Sequence, residues 1–257
     1  MSSSDNTSES SRPAGKGRII LFVAMLIVTA ASTALGAWQV QRLIWKLDLI
    51  ARVDARVHAE PTAPPPVSES VSATNDEYKH VRVSGTYLND KESFVQAVTA
   101  LGPGFWVVTP LATADGAHIL INRGFIPADR RDVAKRAEGQ VEGQTEVTGL
   151  LRMSEPGGGF LRANDAANDR WYSRDVAAIT AAKGVSPAAP YFIDADANPA
   201  LQMAPVGGLT VIKFPNNHAS YIFTWFALAI MSAAAAFYVL RGHWPFMRNK
   251  SETRTKA

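Results

Sequence analysis

Residues 19–40 read IILFVAMLIVTAASTALGAWQV, and this uncharged run decides how the chain around it must fold. A second uncharged run, ASYIFTWFALAIMSAAAAFYVL, occupies residues 219–240. A helix needs about 20 residues to cross a hydrocarbon core of about 30 Å, and both runs reach that length. Only a helix satisfies its own backbone polar groups inside lipid. The sequence therefore predicts transmembrane helices over residues 19–40 and 218–240, with a large domain between them.

A cleaved signal peptide is the alternative for the first run. Ala34, Gly36 and Ala37 are small residues of the kind found near a cleavage site. The run is longer than the 7–15-residue apolar core typical of signal peptides. We therefore expect an uncleaved anchor.

The basic residues predict the orientation of the chain. They crowd the two ends beside the apolar runs, at Arg12, Lys16, Arg18, Arg241, Arg248, Lys250, Arg254 and Lys256. Short basic flanks stay in the cytoplasm. We therefore expect residues 1–18 and 241–257 to be cytoplasmic tails in a bacterial inner membrane, and residues 41–217 to form a periplasmic domain. The net charge of +3 is accounted for by these flanks, so nucleic acid is not an expected partner.

The segment between the spans predicts an α+β domain. The first helix should continue beyond the membrane to about residue 60 and stop before Pro61. Period-two alternation then predicts strands near residues 80–85 and at Ser93–Val98, Trp106–Leu111, His118–Asn122, Thr145–Leu151, Tyr191–Ile193 and Leu209–Phe214. One helix is expected from Ser173 to Ala182. Many short strands separated by turn residues favour a mainly antiparallel small barrel or sandwich.

Catalytic signatures are absent from the sequence. It contains no HExxH, GxSxG, Walker A or dinucleotide GxGxxG motif, and no cysteine. Disulfides and thiolate chemistry are therefore excluded. Asp194 and Asp196 fall on one face of a strand, where a solvated pair is the simpler interpretation. We predict that the chain is not an enzyme.

His218 is the histidine whose position suggests a ligand. It starts the second span, and at helical spacing it shares a face with Tyr221, Ile222 and Trp225. An imidazole on an aromatic, half-lipidic surface suits an axial bond to haem iron. Trp38, Arg42 and Trp45 share a face of the first helix, where Arg42 can neutralise a haem propionate.

A structural interpretation of the same residues stays open. Asn217 can cap the second helix through its side-chain oxygen, and His218 can then be an interfacial residue without a ligand. The other histidines, His58, His80, His118 and His243, lie among ordinary surface-type residues, where a solvated or structural role is expected.

Three motifs resemble those of the surfeit locus protein 1 family. They are LGAWQVQRLIWK at residues 35–46, NRGFIP at 122–127, preceded by PGFWVVTPL at 103–111, and NNHASYIFTW at 216–225. The resemblance extends from about Leu35 to Leu240. Phe125 stands where the family usually has Trp, and Ile222 where it usually has Ala.

The resemblance implies a role in oxidase biogenesis. Members of this family assist assembly of subunit I of haem-copper oxidases, and bacterial members are described as binding haem A. It implies that His218 ligates the haem A iron, with Tyr221, Trp225, Arg42 and Trp38 as neighbouring cofactor-binding positions. The implied partners are cytochrome c oxidase subunit I and the enzymes that make haem A.

Two alternatives accompany this interpretation. The chain can instead be a scaffold that binds the oxidase subunit without touching cofactor, using its Trp, Tyr and Arg side chains as a partner surface. Arg123, in the second motif, either shapes the end of a strand or contacts an anionic ligand.

Overall fold

A computed structural model describes residues 14–198 and 205–241 of the chain. The described chain divides into two compact units. A helical unit contains residues 14–49 and 214–241, and a barrel unit contains residues 50–198 and 205–213. The expected tail residues 1–13 and 242–257, His243 among them, and residues 199–204 lie outside the described residues.

The helices are α1 (Ala14–Val57), α2 (Ala73–Asp76), α3 (Val176–Ala182) and α4 (His218–Leu240). The strands are β1 (His80–Tyr87), β2 (Ser93–Thr99), β3 (Gly102–Thr113), β4 (His118–Pro127), β5 (Gln144–Met153), β6 (Gly158–Gly159), β7 (Arg162–Ala163) and β8 (Ala188–Ala195). Short 3-10 segments occupy Asn89–Lys91, Ala128–Arg130, Val133–Gly139 and Ala166–Asn168, and the third is kinked at Arg136.

Two of the described helices, α1 and α4, are long and apolar enough to cross a membrane. The 44 residues of α1 span about 66 Å at 1.5 Å per residue, which is far more than the hydrocarbon core requires. α1 ends at Val57, as expected for a helix that must stop before Pro61. The pair of apolar helices around a mainly β domain confirms the predicted fold class.

Five strands of the barrel unit close on themselves. The sheet runs β1-β5-β8-β4-β3, and Gly85–Tyr87 of β1 pairs with residues 111–113 of β3 to complete the ring. β2 pairs with β3 outside the ring. All these pairs are antiparallel except β4 with β8. The domain is therefore a closed barrel, which removes exposed strand edges from the ring.

The barrel unit has two hydrophobic cores. One fills the interior of the ring with aliphatic side chains and Tyr191, drawn from β1, β3, β4, β5 and β8. The other lies between the sheet and α3, and is formed by Val95, Val108, Leu120, Trp171, Val176, Ile179 and Phe192. Both faces of β4 and β8 are thus buried, which explains their nearly continuous apolar sequences.

Glycines permit the close strand approach that a small barrel requires. At Gly149 of β5, an added methyl carbon would lie 2.2 Å from the carbonyl oxygen of Asp194 in β8. At Gly104 of β3, it would lie 2.1 Å from the carbonyl oxygen of Ile126 in β4. Side chains cannot be accommodated at these positions without moving backbone.

Most of the expected strands are present, and the expected Leu209–Phe214 strand is wrong. This segment is extended without forming a ladder. Ring closure gives β4 neighbours on both sides, so the segment forms no ladder. It is held by a Val206–Phe125 bridge, by Gly208 N–H donating to Ala195 O at 2.9 Å and by Thr210 donating to Asp194 at 2.9 Å. We call residues 205–213 the strap.

The expected helix from Ser173 begins later than predicted, at Val176. Asp175 occupies the N-cap position, and its carboxylate accepts from Ala178 N–H at 3.1 Å. Because an N-cap residue has non-helical backbone angles, the helix cannot include Ser173.

Replacing Gly149 with alanine should destabilise the barrel by about 1–3 kcal/mol, because the new methyl group collides with backbone that the ring holds in place. Thermal or urea unfolding of the full chain in detergent measures this. Thr148→Ala, at the adjacent position in β5, is the matched control and should change stability much less. Equal effects of the two substitutions would contradict the proposed tight β5–β8 approach.

Candidate functional site

The helical unit is built on a regular seam between α1 and α4. Side chains turned toward the partner helix recur at alternating steps of three and four residues. On α1 these are Phe22, Met25, Thr29, Ser32, Gly36, Gln39, Leu43 and Lys46; on α4 they are His218, Ile222, Trp225, Ala229, Ser232, Ala236 and Val239. This is the spacing of a coiled-coil seam.

Side-chain contacts show that the two helices are antiparallel. Arg18 donates to the carbonyl oxygens of Val239 and Leu240, while Lys46, near the other end of α1, donates to Pro215 O. Between these ends, the Thr29 and Ser232 hydroxyl oxygens lie 2.8 Å apart. Gly36 lets the Phe226 ring approach so closely that a methyl carbon there would lie 3.0 Å from the ring. Small residues and hydrogen-bonded hydroxyl groups are common at the interfaces between helices in lipid.

The Nδ1 atom of His218 lies 2.7 Å from Oε1 of Gln39, within this seam. Gln39 is buried and His218 is half-buried. Because an amide oxygen only accepts hydrogen bonds, this contact places the imidazole proton on Nδ1. The lone pair of a neutral His218 then sits on Nε2. Metal-binding histidines usually donate their other ring N–H in this way, which orients the ring.

The start of α4 differs in one respect from the expected cap. Asn217 occupies the N-cap position, but its side chain makes no capping bond. The Asn216 side-chain oxygen instead accepts the backbone N–H of His218 at 3.3 Å. The prediction that Asn217 caps the helix is therefore wrong. The backbone of His218 is held by Asn216 and its ring by Gln39.

The structure separates the other predicted site residues into two groups. Trp225 is half-buried in the seam on the same face as His218, whereas Tyr221 is 53% exposed. On α1, Trp38 is 54% exposed, and the Arg42 guanidinium lies over the Trp45 ring, 4.1 Å from its centroid. Trp38, Arg42, Trp45 and Tyr221 thus present an aromatic and cationic surface outside the seam.

Gln39 was not among the site residues predicted from the sequence. Trp38, Arg42 and Trp45 were predicted because they share a face of the first helix, and Gln39, the residue after Trp38, lies on a different face. The signal that could have found Gln39 is the alternating three-and-four spacing on both apolar runs. That spacing assigns Gln39 and His218 to the same seam.

Arg123 lies in a buried network of charged side chains in the barrel unit. Its Nη1 donates to Glu92 Oε1 at 3.2 Å and to Asn89 Oδ1 at 3.3 Å, and its Nη2 donates to Gly139 O. Glu92 also accepts from both terminal nitrogens of Arg136, at 3.2 and 2.6 Å. The side chains of Arg123, Glu92 and Arg136 are 5%, 5% and 0% exposed. Arg123 therefore holds the end of β4 in place.

Asp194 is the second buried charge of the barrel unit, and the expected solvated pair with Asp196 is wrong. The Asp194 carboxylate accepts four hydrogen bonds, from Asn122 at 2.7 Å, Arg152 at 3.0 Å, Arg174 at 3.0 Å and Thr210 at 2.9 Å. It joins β4, β5, β8 and the strap. Residue spacing along one strand could not show these partners, because they come from distant segments.

The remaining described histidines make ordinary contacts. His58 bonds the carbonyl of Asp54, and His118 bonds that of Pro187. The His80 Nε2 lies 2.9 Å from Asp196; burial opposes the charged ring, but the Asp196 carboxylate and the Ala59 carbonyl raise the pKa of His80 above its usual value. Within the described ranges, no three His, Asp or Glu side chains are grouped to hold a metal ion.

Fold and site together define a class of protein. In sequence, its closed β-barrel domain lies between two apolar helices, and a histidine at the start of the second helix is hydrogen-bonded to a side-chain amide of the first. The model of the SURF1 family matches residues 26–230. Surfeit locus protein 1 from Rattus norvegicus is 36% identical over 220 residues, covering 79% of this chain and 70% of the relative. The Homo sapiens protein of the same name is 34% identical over 230 residues, covering 83% and 74%.

A SURF1-like protein from Monosiga brevicollis is 35% identical over 262 residues, covering 97% of this chain and 95% of the relative. These relatives come from eukaryotes. The chain belongs to the SURF1 family, as its three sequence motifs indicated.

Glu92→Gln should destabilise the barrel unit by about 3–5 kcal/mol, because it leaves two buried guanidinium groups without a counter-charge. Glu146→Gln is the control: Glu146 pairs with Arg82 at 3.6 Å on the surface, where an ion pair contributes about 1 kcal/mol or less. Urea unfolding of both variants measures the difference. If the Glu92 variant were as stable as the Glu146 variant, the two buried guanidinium groups would not depend on Glu92 as a counter-charge, and the prediction would be wrong.

Proposed function

We propose that this chain is an assembly factor for a haem-copper oxidase of the aa3 cytochrome c type. In this proposal it binds haem A in the membrane through Nε2 of His218 and assists its insertion into subunit I. The chain is not an enzyme; haem A is its cargo. The observation that carries the proposal is the Gln39–His218 hydrogen bond of 2.7 Å, which leaves Nε2 as the free lone pair of a neutral ring.

The neighbouring residues suit a porphyrin. Trp38 and Tyr221 offer exposed aromatic surface, and Arg42 offers a cation for a propionate. The site supplies one protein ligand, the His218 imidazole, and its aromatic surface is open. Binding of this kind protects the cargo while still allowing release to an acceptor.

The membrane arrangement proposed is that of a bacterial inner-membrane protein with two spans. The basic residues beside both spans, such as Arg18 and Arg241, place both termini in the cytoplasm. The barrel is then periplasmic, and His218 lies at the outer boundary of its span. Oxidase subunit I is the proposed acceptor, and the haem A-making enzymes are the proposed donors.

His218→Ala should abolish haem A binding when the full chain is produced together with haem A synthesis and purified in detergent, because the iron loses its ligand. Gln39→Leu should weaken binding by about 10–100-fold, the usual effect of losing the partner that orients a metal-binding histidine. Optical spectra and haem extraction measure both effects. His58→Ala, at an exposed histidine just after the end of α1, should retain full haem content.

An unchanged spectrum in the His218 variant would remove the proposed ligand. Loss of haem in the His58 variant as well would indicate general disruption of the helices, not loss of a specific bond. Circular dichroism of each variant separates these outcomes.

A scaffold without cofactor is the second candidate function, and the exposed side chains of Trp38, Trp45 and Tyr221 favour it. Large aromatic residues are preferred anchors of protein interfaces. Co-production with haem A synthesis and an affinity-tagged subunit I distinguishes the two. A colourless chain that still co-purifies with the subunit identifies a scaffold; a coloured chain that loses its colour to the subunit identifies cargo transfer.

A further inference from the structure

The ring of strands opens at one end into a cavity of about 260 Å³. It lies where β1 ends, β5 begins and β8 ends, and we call it the barrel mouth. Its lining includes Tyr87, Arg123, Thr145, Thr148 and Ala195. Mouths of β-barrels are common ligand sites, and this volume is slightly below the range of pockets that hold drug-sized ligands. The mouth therefore suits a small molecule or one group of a larger one.

The charges behind Arg123 do not balance. Arg123 and Arg136 share Glu92, and among the residues that the structure describes no other carboxylate pairs with either guanidinium. The Nε of Arg136 is also buried without a hydrogen-bond partner. Two buried cations and one buried anion leave an excess positive charge at the wall of the mouth.

Tyr87 does not supply the missing negative charge. The Arg123 guanidinium lies over its ring, 4.5 Å from the centroid. Burial raises the pKa of the Tyr87 hydroxyl above its usual value in spite of the nearby cation, so the group stays neutral. Burial and the neighbouring Arg136 lower the pKa of Arg123, although Tyr87 and Glu92 oppose this. An additional anion would relieve this electrostatic burden.

The two carboxylates at the rim of the mouth are already paired. Glu146 pairs with Arg82 at 3.6 Å, and Asp196 pairs with His80 at 2.9 Å. Both are considerably exposed, with 58% and 46% of their side chains accessible. Their charges are therefore screened by water and neutralised by partners of their own, which leaves the charge of Arg123 available to a ligand.

We infer that the barrel mouth binds the oxyanion group of a small ligand, a carboxylate or a phosphate, against Arg123. Both Nη atoms of Arg123 already donate within the barrel unit, so its part in the site is the positive charge that it places at the wall of the mouth. Thr145, on the same face of β5 as the core residue Val147, adds a hydroxyl group that can donate to a further ligand oxygen. This site is formed within the barrel unit alone, so it is independent of His218 and of haem.

The test uses the full chain in a neutral detergent, with inorganic phosphate and succinate as soluble probes, measured by calorimetry. Saturable binding is expected for the wild-type chain. Arg123→Gln removes the charge and should weaken binding at least tenfold. Arg162→Gln removes an exposed guanidinium elsewhere in the barrel unit and is the matched control; it should bind like the wild type.

A second variant protects the test against misfolding at Arg123. Thr145→Glu places a negative charge in the lining on a half-exposed strand position, leaves the buried network intact and should abolish binding. Nanodiscs containing phosphatidylglycerol identify the source: competition with phosphate assigns a lipid headgroup, and its absence assigns a soluble anion. No saturable binding to folded wild-type chain, or equal binding by the Thr145 variant, overturns the inference. His218→Ala should bind the probes normally, which separates this site from the proposed haem function.

Discussion

The hydrogen bond between Gln39 and His218 is the interaction on which the functional account depends. It is possible only because α1 and α4 pack antiparallel on a seam whose small residues, Gly36 and Ser232 among them, bring the two backbones close. A polar pair inside an otherwise apolar seam costs free energy if either partner is lost, so each partner fixes the other. The same contact turns Nδ1 of the His218 ring toward Gln39.

The barrel unit handles buried charge in two different ways. Asp194 is saturated by four donors, two of them arginines, and connects β4, β5, β8 and the strap. These donors satisfy the acceptor oxygens of the buried carboxylate. The network of Arg123, Glu92 and Arg136 has the opposite sign and is under-compensated. The first network joins structural elements, whereas the second is poised to accept a ligand.

Local patterns in the sequence predicted the local parts of the fold. The uncharged runs, the stop before Pro61 and six of the expected strands follow from residues within a few positions of one another.

Ring closure could not be predicted, because pairing of Gly85 with Thr113 is a property of long-range register. The failed Leu209–Phe214 strand has the same origin: its alternation is suited to a strand, but β4, which the strap meets at Val206, is already paired with β3 and β8. Likewise, Glu92, Arg123 and Arg136 meet only through folding. Gln39 differs from these residues, because the alternating three-and-four spacing that assigns it to the seam can be read from the sequence.

Nitrogen NMR of the chain labelled with 15N-histidine, in bilayers without haem and at a pH where imidazole is neutral, tests the central claim most directly. The His218 signals are assigned by their absence in a His218→Ala sample. The account predicts a protonated Nδ1 and an unprotonated Nε2 for this residue, with that preference lost when Gln39 is leucine. A proton on Nε2 in the wild-type chain would contradict it, because the nitrogen proposed to bind iron would then be blocked.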